Sequence, residues 1–377
     1  MTEQSKPNPR SNGPTVTKPD MRVVQEVEEQ RPPYPVGLLS KQEKDRLIER
    51  GMLGLYRWYV DRSQATRNWN PDKSFEWRKL RTDHSPRLNH IVEGFFAVEQ
   101  FVPDYTSKAI NLFRKSYGRS HFQIRWGAEE EKHADLWRNA MLFLRHRSPQ
   151  WIEDYAQALH HKEWMLPWDD VLHLNCYVVV QERATQLNYL NTVAIARGQS
   201  DDPDTANDVD PVLAHAAHTI AVDEAAHYYF FTEVLRLWLY YYPAQTLEAL
   251  LNVINHFTMP ALDLISLMPD QGDFAEATIK SGIYTPRQHI SDVLAVALKN
   301  LGLVDRRALT NGVRRSRLVP DEDGHLRDTA IIETFDYDAV EKAVKTIYRK
   351  IERYEQETGH ADIDPTVFVP SGYAAAT

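Results

Sequence analysis

Two glutamate–histidine pairs, each inside a long apolar segment with helical periodicity, constrain this chain more than any other feature. Glutamate and histidine three residues apart project from one face of a helix, so both side chains can reach one cation. With 25 glutamates and 15 histidines in 377 residues, random placement gives roughly one such pair. The sequence contains four. Glu130–His133 and Glu224–His227 have apolar helical neighbours, whereas Glu322–His325 and Glu357–His360 contain a helix-disfavouring glycine and are interpreted as fortuitous.

The rest of the chain has the same periodicity. Between Leu38 and Leu303, apolar residues recur at helical spacing, and no run alternates as a β-strand would. The predicted fold class is therefore all-α, a bundle of long helices with additional helices. Helices are expected at 40–61, 86–117 with a kink at Pro103, 119–146, 150–162, 169–197, 207–242, 244–257, 261–268 and 287–300.

Three parts are expected along the chain. Residues 1–36 are polar and rich in proline, which predicts a disordered tail. Residues 37–305 are predicted to form the bundle. Residues 306–377 are predicted to comprise a charged connection over 306–328, an amphipathic helix that docks on the bundle, and a frayed end.

Composition excludes several classes of function. The net charge of -9 disfavours nucleic-acid binding. No apolar run approaches the roughly 18 residues of a membrane span, and the N-terminal residues resemble neither an export signal nor a transit peptide, so we expect a cytoplasmic protein. The single cysteine, Cys176, excludes a disulfide framework and thiolate metal clusters. Any metal would therefore be held by oxygen and nitrogen ligands.

Two further glutamates, Glu99 and Glu182, also lie in apolar helical segments, where an unpaired carboxylate is costly to bury. Taken singly, each of these acids could belong to an ion pair, with Lys132 or Arg183 as partner. Together, four helices with one carboxylate each, two of them also with a histidine, match the known pattern of dinuclear carboxylate bundles. The candidate metal ligands are Glu99, Glu130, His133, Glu182, Glu224 and His227.

The charge of these ligands fits a pair of divalent cations. Four carboxylates cancel the four positive charges of two ferrous ions, which lowers the cost of burying the centre. Carboxylate oxygens together with two imidazoles suit iron or manganese better than copper.

The segments around these residues resemble the soluble acyl-[acyl-carrier-protein] desaturases, which comprise the plant-type stearoyl desaturases and their bacterial relatives. The order Gln-Glu-Arg-Ala-Thr and then Asp-Glu-x-x-His is the most specific part of the resemblance. In chain order, the matching segments are Asn68-Trp69-Asn-Pro, Val98-Glu99-Gln-Phe-Val-Pro103-Asp-Tyr105, Ala128-Glu-Glu130-Glu-Lys-His133, Gln181-Glu182-Arg-Ala-Thr185, Thr219-Ile-Ala-Val-Asp223-Glu224-Ala-Ala-His227, Met259-Pro260-Ala261 and Gly282-Ile-Tyr-Thr285.

This resemblance implies a homodimeric, ferritin-like bundle that binds two irons through the six candidate ligands. It also implies removal of two hydrogens from an acyl chain on acyl-carrier protein, with dioxygen and electrons from a ferredoxin-type donor. Thr185 would lie near the oxygen-binding face. Trp69 and Asp223 would lie on the electron route toward His133, and Asp223 would also orient a ligand imidazole.

The segment 106–112 is more polar than in the plant proteins, where it lines the far end of the acyl pocket. Acyl length and bond position therefore stay open. An acidic carrier is expected to meet a positive patch, either Arg67, Lys73, Arg78, Lys79 and Arg81 or the basic residues of 306–317, although these charges equally suit a solvated face.

Three other functions use related metal sites. A di-iron hydroxylase or other oxygenase acting on an acyl or other apolar substrate is the main alternative, because the same centre can insert oxygen. A ribonucleotide-reductase-type radical subunit usually has a tyrosine one turn after the first glutamate–histidine pair, where this chain has Trp137. An iron-storage protein is disfavoured by the additional helices.

Overall fold

The structure, a computed structural model, describes residues 20–23, 25, 35–265, 273–320 and 327–363. In these ranges no residue belongs to a β-strand, which confirms the all-α prediction. The helices are α1 Lys41–Thr66, α2 Pro86–Glu99, α3 Val102–Phe113, α4 Tyr117–Leu144, α5 Pro149–His160, α6 Val171–Ala196, α7 Pro211–Tyr241, α8 Pro243–His256, α9 Phe274–Lys280, α10 at 286–300 with a π-helical centre at His289–Leu294, α11 Arg306–Leu318, α12 Asp328–Ile331, α13 Tyr337–Glu357 and α14 His360–Ile363.

The two helices whose sequences are apolar on nearly all sides, α6 and α7, form the centre of the bundle. They pack against each other more extensively than any other pair of described helices. Helix α4 packs on α1, α2, α3 and α7, and α8 packs on α6. Among the described helices, none combines the length and apolar character needed to cross a lipid bilayer.

The kink predicted at Pro103 is a complete break between two helices. Helix α2 ends at Glu99, and α3 begins at Val102 with Pro103 in its first turn. Proline lacks an N–H and its ring clashes with the carbonyl four residues earlier, which is Glu99. The break therefore places Glu99, the first candidate metal ligand along the chain, at the end of a helix.

Side-chain caps fix where the central helices begin. Ser85, Ser116 and Asp170 accept hydrogen bonds from the first turns of α2, α4 and α6. Asp210 caps α7: its Oδ1 accepts from the N–H groups of Val212 (2.8 Å) and Leu213 (3.0 Å).

The other oxygen of Asp210 ties α7 to the segment before α2. Its Oδ2 accepts from the N–H of Arg81 (2.8 Å) and lies 3.1 Å from Nε2 of His84. Burial alone would lower the pKa of His84, but hydrogen bonds with Asp208 and Asp210 outweigh burial and raise that pKa. A neighbouring carboxylate therefore stabilises the protonated imidazole.

We expect Asp210→Ala to lower the free energy of unfolding by about 2–4 kcal/mol, because a helix cap is lost and buried donors are left without an acceptor. The folded-state pKa of His84 is raised, so its contribution is complete below about pH 6.5 and is lost as pH rises through that folded value. The loss in Asp210→Ala should thus be larger at pH 6 than at pH 8. Urea unfolding at both pH values measures it, and a loss independent of pH would contradict the role of His84.

Two predictions about helices are wrong. The helix expected at 261–268 is a turn over 261–265, with 266–268 outside the described residues. Ala261 has φ 56°, the left-handed region that interrupts a helix, and it follows Pro260. The stretch 306–328, expected to be a connection, begins with helix α11, because Leu309 and Val313 are buried against α8 beneath the basic surface. Helix α9 was not predicted.

The amphipathic helix predicted near the C-terminus is confirmed as α13. Its apolar face is buried against α1 and α7 and joins the main hydrophobic core, as does that of α11. Most of the tail predicted to be disordered over 1–36 lies outside the described residues, although residues 21–23 within it are helical. Of the frayed end predicted beyond Gly359, residues 360–363 form the short helix α14, and 364–377 lie outside the described residues. The division into three parts at 36 and 305 stays a prediction.

Candidate metal centre

The six candidate ligands come from four helices and lie together in the middle of the bundle. Glu99 ends α2, Glu182 lies in α6, and the two glutamate–histidine pairs lie in α4 and α7. Each of the six side chains is buried, with at most 6% of its surface exposed. Hydrophobic packing of the helices therefore carries four carboxylates into the core.

Two groups of ligand atoms form there, each with all its atoms within 4.8 Å of one another. One group contains Glu99 and His133, and the other contains Glu182 and His227. Both groups share Glu130 and Glu224. The centre thus offers two cation positions, each with one imidazole and one terminal carboxylate, joined by two carboxylates that belong to both.

Both imidazoles point the same ring nitrogen at the carboxylates. Nδ1 of His133 lies 3.2 Å from Glu130 Oε2 and 3.6 Å from Glu224 Oε1. Nδ1 of His227 lies 3.0 Å from Glu130 Oε1 and 3.3 Å from Glu182 Oε2. The Nδ1 atoms are therefore the candidate metal-binding nitrogens, which leaves each Nε2 for an outer partner.

The buried carboxylates lie close together, and bound cations would offset their charge. Both oxygens of Glu182 and Nδ1 of His227 are buried without a well-formed hydrogen bond. Burial, and then the charge of Glu130, raise the pKa of Glu99 to about 8, and burial together with Glu224 raises the pKa of Glu182 well above its usual value. A pair of divalent cations would replace protons as the neutralising charge.

Each imidazole is oriented from outside by a second carboxylate, and the pairing crosses between helices. Nε2 of His133 on α4 lies 3.3 Å from Asp223 Oδ2 on α7, and Nε2 of His227 on α7 lies 3.0 Å from Glu129 Oε2 on α4. The role of Asp223 was expected from the sequence, whereas that of Glu129 was not. A signal was present, since an acid precedes the glutamate of both motifs.

A network around Arg67 holds these two outer carboxylates. Its guanidinium lies 3.0 Å from Asp223 Oδ1 and 3.5 Å from Glu129 Oε2. Tyr59 and Ser63 of α1 also donate hydrogen bonds to Glu129. Arg67 is only 8% exposed, so the prediction that it lies in a surface patch is wrong; it contacts the two outer carboxylates of the candidate metal centre instead.

The half-buried Trp69 lies between His133 and the protein surface. Its Nε1 donates to Asp223 Oδ2 at 2.8 Å, and its ring stacks on the His133 ring with 6.1 Å between centroids and 5° between planes. Lys132 Nζ lies 4.5 Å from the Trp69 centroid. The structure thus brings Trp69, Asp223 and His133 into direct contact.

Asp223→Asn and Glu129→Gln are each expected to weaken metal binding about 10- to 100-fold, because an oriented imidazole loses its carboxylate partner. Glu129→Gln should affect the ion beside His227, and Asp223→Asn the ion beside His133. Competition titrations with a coloured chelator measure both affinities. Unchanged affinity in both variants would contradict an orienting role.

Thr185 lies on the side of the centre that faces an apolar cavity. Its Oγ1 donates to Glu224 Oε2 at 2.9 Å, while Tyr189 O–H donates to Glu99 Oε1 at 2.6 Å. The cavity measures about 410 Å³. Thr185, Tyr189 and Glu99 line it at the metal end, and side chains of α9, α10 and the segment around Met259 line the rest.

The remaining predicted features lie away from the centre. Lys79 and Arg81 pair with Glu76 and Asp83 at the surface. Glu357 and His360 are exposed, as the fortuitous interpretation expects. Glu322–His325 lies outside the described residues.

The chain is similar in sequence to acyl-[acyl-carrier-protein] desaturases of a bacterium and a plant. It is 25% identical over 198 residues to acyl-[acyl-carrier-protein] desaturase DesA1 of Mycobacterium tuberculosis, a match covering 49% of this chain and 53% of that protein. It is 28% identical over 182 residues to stearoyl-[acyl-carrier-protein] 9-desaturase 1 of Oryza sativa subsp. japonica, covering 46% and 44%. The matches thus span about half the length of these relatives.

A solved structure, that of the acyl-ACP desaturase DesA2 from Mycobacterium tuberculosis, superposes on 68% of this chain and 94% of its own, with a TM-score of 0.45 and 16% identity. The model of the fatty acid desaturase family matches residues 96–319, a range that contains all six candidate ligands. Since this match covers more than half of the sequence, the chain belongs to the fatty acid desaturase family.

Proposed function

We propose that this protein removes two hydrogens from adjacent methylenes of an acyl chain carried on acyl-carrier protein, using dioxygen and electrons from a ferredoxin-type donor. One observation carries the proposal: two adjoining ligand groups, fit for two divalent cations, open through Glu99 and Thr185 onto an apolar cavity. The names of the relatives, acyl-[acyl-carrier-protein] desaturases, support the same substrate.

Iron is the metal proposed, bound by Glu99, Glu130, His133, Glu182, Glu224 and His227, and it would supply the activation of dioxygen. The protein's own contribution is positioning. The apolar walls hold methylenes beside the centre and exclude water, which restricts the reaction to the bound chain. Thr185, which donates to Glu224 and lines the cavity, would hold a proton next to the place of reaction.

Trp69, Asp223 and His133 form the proposed electron route. The half-buried indole is stacked on a ligand imidazole and hydrogen-bonded through Asp223, so a donor docked over Trp69 would be close to the metals. The carrier is proposed to dock instead at the mouth of the cavity. Arg287 is exposed next to the cavity residue Pro286 and suits an acidic partner, whereas Lys280, next to the cavity residue Ile279, pairs with Glu276.

A homodimer is also proposed. The neighbouring central helices α6 and α7 carry Leu190, Val222 and Tyr229, large apolar side chains that are 38%, 43% and 38% exposed. Residues of this kind become buried at subunit interfaces. Sedimentation equilibrium tests the dimer, and a monomer at micromolar concentration would overturn it.

The proposed activity is tested by turnover. Iron-loaded protein, a reduced ferredoxin, dioxygen and saturated acyl-carrier-protein thioesters are combined, and the acyl products are weighed by mass spectrometry. We expect a product two hydrogens lighter than the substrate. A product one oxygen atom heavier would make the protein a hydroxylase, and no product from any thioester would overturn the acyl-carrier substrate.

A further inference from the structure

The apolar cavity lies on one side of the metal ligands only. Along α6 it is lined by Thr185 and Tyr189, whereas residues before Glu182, such as Gln181 and Val178, border a separate aromatic cluster. The same order holds along α2 and α3. Glu99, at the end of α2, lines the cavity, whereas Tyr105 of α3 borders the aromatic cluster. The metal ligands therefore separate the cavity from the cluster.

Three aromatic side chains close the second side, and we call Tyr105, Trp126 and Trp164 the far wall. The ring of Tyr105 lies 5.2 Å from that of Trp126 and 6.2 Å from that of Trp164, centroid to centroid. Trp126 meets the His227 ring edge-on at 6.4 Å. The free space left among them is about 10 Å³, room for about one water and not for a methylene chain.

Several interactions hold the far wall in place. The N–H of Trp164 donates to Asp104 Oδ2 at 2.8 Å, and its carbonyl accepts from Lys108 Nζ at 3.3 Å. Lys108 also pairs with Glu163 at 2.9 Å. Helices α3 and α4 approach closely at Gly127, where any Cβ would overlap the side chain of Thr106. The wall is thus fixed by backbone contacts on both sides.

We propose that the far wall stops the methyl end of the acyl chain at the metal centre, so that the position of the new double bond is set by its distance from the methyl end. This inference rests on the proposed function. The thioester and its carrier are polar and stay outside, at the mouth near Pro286 and Ile290, while the methyl group enters first. Because the space among the rings of the far wall holds about one water, only carbons near the methyl end come to lie beside Glu99 and Thr185.

The reaction balances without any further reagent. Two C–H bonds break and one C=C bond forms, which releases two electrons and two protons from the acyl chain. Two electrons from the ferredoxin-type donor and two protons from solvent complete the reduction of one dioxygen to two waters. The wall changes which C–H bonds are broken and not this balance.

The test uses the iron-loaded protein and saturated acyl-carrier-protein thioesters whose chains differ in steps of two carbons. The bond position in each product is read by mass spectrometry after chemical derivatisation of the double bond. A bond at a constant distance from the methyl end is expected. A bond at a constant distance from the thioester carbonyl would overturn the inference alone, and no loss of hydrogen with any chain would overturn both it and the proposed function.

Binding gives a second readout that needs no turnover. Unreactive acyl-carrier-protein thioethers are titrated into the unreduced iron-loaded protein by calorimetry. Affinity should rise about fourfold per added methylene, the equivalent of about 0.8 kcal/mol, until the methyl group meets the far wall, and then fall. An affinity that keeps rising through the series would overturn the inference.

Trp164→Ala should shift the highest binding affinity to longer acyl chains and should move the double bond away from the methyl end. Trp164→Leu makes a smaller opening and serves if the alanine variant does not fold. Trp58→Ala, a matched change on α1 away from the cavity, should alter neither quantity. An unchanged maximum in a folded Trp164 variant with its full iron content would contradict the role of the far wall.

Discussion

Replacing Glu182 by leucine is expected to abolish iron binding and, at the same time, to stabilise the iron-free protein. Glu182 is fully buried in the apolar helix α6, and neither carboxylate oxygen has a well-formed hydrogen bond. A buried polar group without a hydrogen bond lowers the free energy of unfolding by about 1–3 kcal/mol, and leucine, which has a similar volume, removes this cost. One terminal metal ligand is lost in the same change.

The measurements are iron content after loading and thermal unfolding of the iron-free protein. We expect fewer than one tightly bound iron per chain and a melting temperature several degrees above that of the wild type. A variant that keeps two irons would remove Glu182 from the ligand set. A large loss of stability would show that its carboxylate has a structural partner.

Glu93→Leu is the matched control. Glu93 is equally buried, on α2, but its Oε1 accepts a hydrogen bond from Arg147 Nε at 2.6 Å. Removing this carboxylate leaves the guanidinium without its partner there, which is expected to destabilise the protein by about 2–4 kcal/mol. Iron content should stay at two. The same substitution thus has opposite effects at the two sites.

The second large effect is a difference in the number of ions that glutamine variants of shared and of terminal ligands retain. Glu130 and Glu224 belong to both groups of ligand atoms, whereas Glu99 belongs to one. Glu224→Gln or Glu130→Gln is therefore expected to release both ions and to lower turnover by about a thousandfold or more, since metal catalysis of this kind contributes several kcal/mol. Glu99→Gln should retain about one ion, on the side of His227.

Iron content and metal-titration curves of the three glutamine variants check this order. Glutamine preserves the volume of glutamate, so differences in packing are small. One tightly bound iron in Glu224→Gln together with none in Glu99→Gln would reverse the assignment of shared and terminal ligands.

The central helices were predictable because each is a long apolar segment without strand-type alternation that begins at a polar cap. The ligand set was recognisable for the same reason, since charged residues such as Glu182 and Glu224 stand out in segments that are otherwise apolar. Helix α11 was not predicted because its five arginines make the segment polar overall, and only a few small and apolar residues, including Leu309 and Val313, have helical spacing. Its burial depends on α8, which is distant in sequence.

Other features of the site depend on how helices face one another. The pairing of Glu129 with His227 follows from the relative rotation of α4 and α7, which local periodicity does not contain. Arg67 looked like a surface charge because its two acidic partners lie 62 and 156 residues away in the sequence. The far wall likewise needs Trp164, from the loop between α5 and α6, to meet Tyr105 of α3.

Two iron ions are proposed to bind side by side among six side chains of four helices. Anomalous X-ray diffraction at the iron edge, from crystals of the iron-loaded protein, locates these ions. We expect two peaks, one beside Glu99 and His133 and one beside Glu182 and His227, with Glu130 and Glu224 contacting both. A single peak, or peaks away from these six side chains, would contradict the proposal.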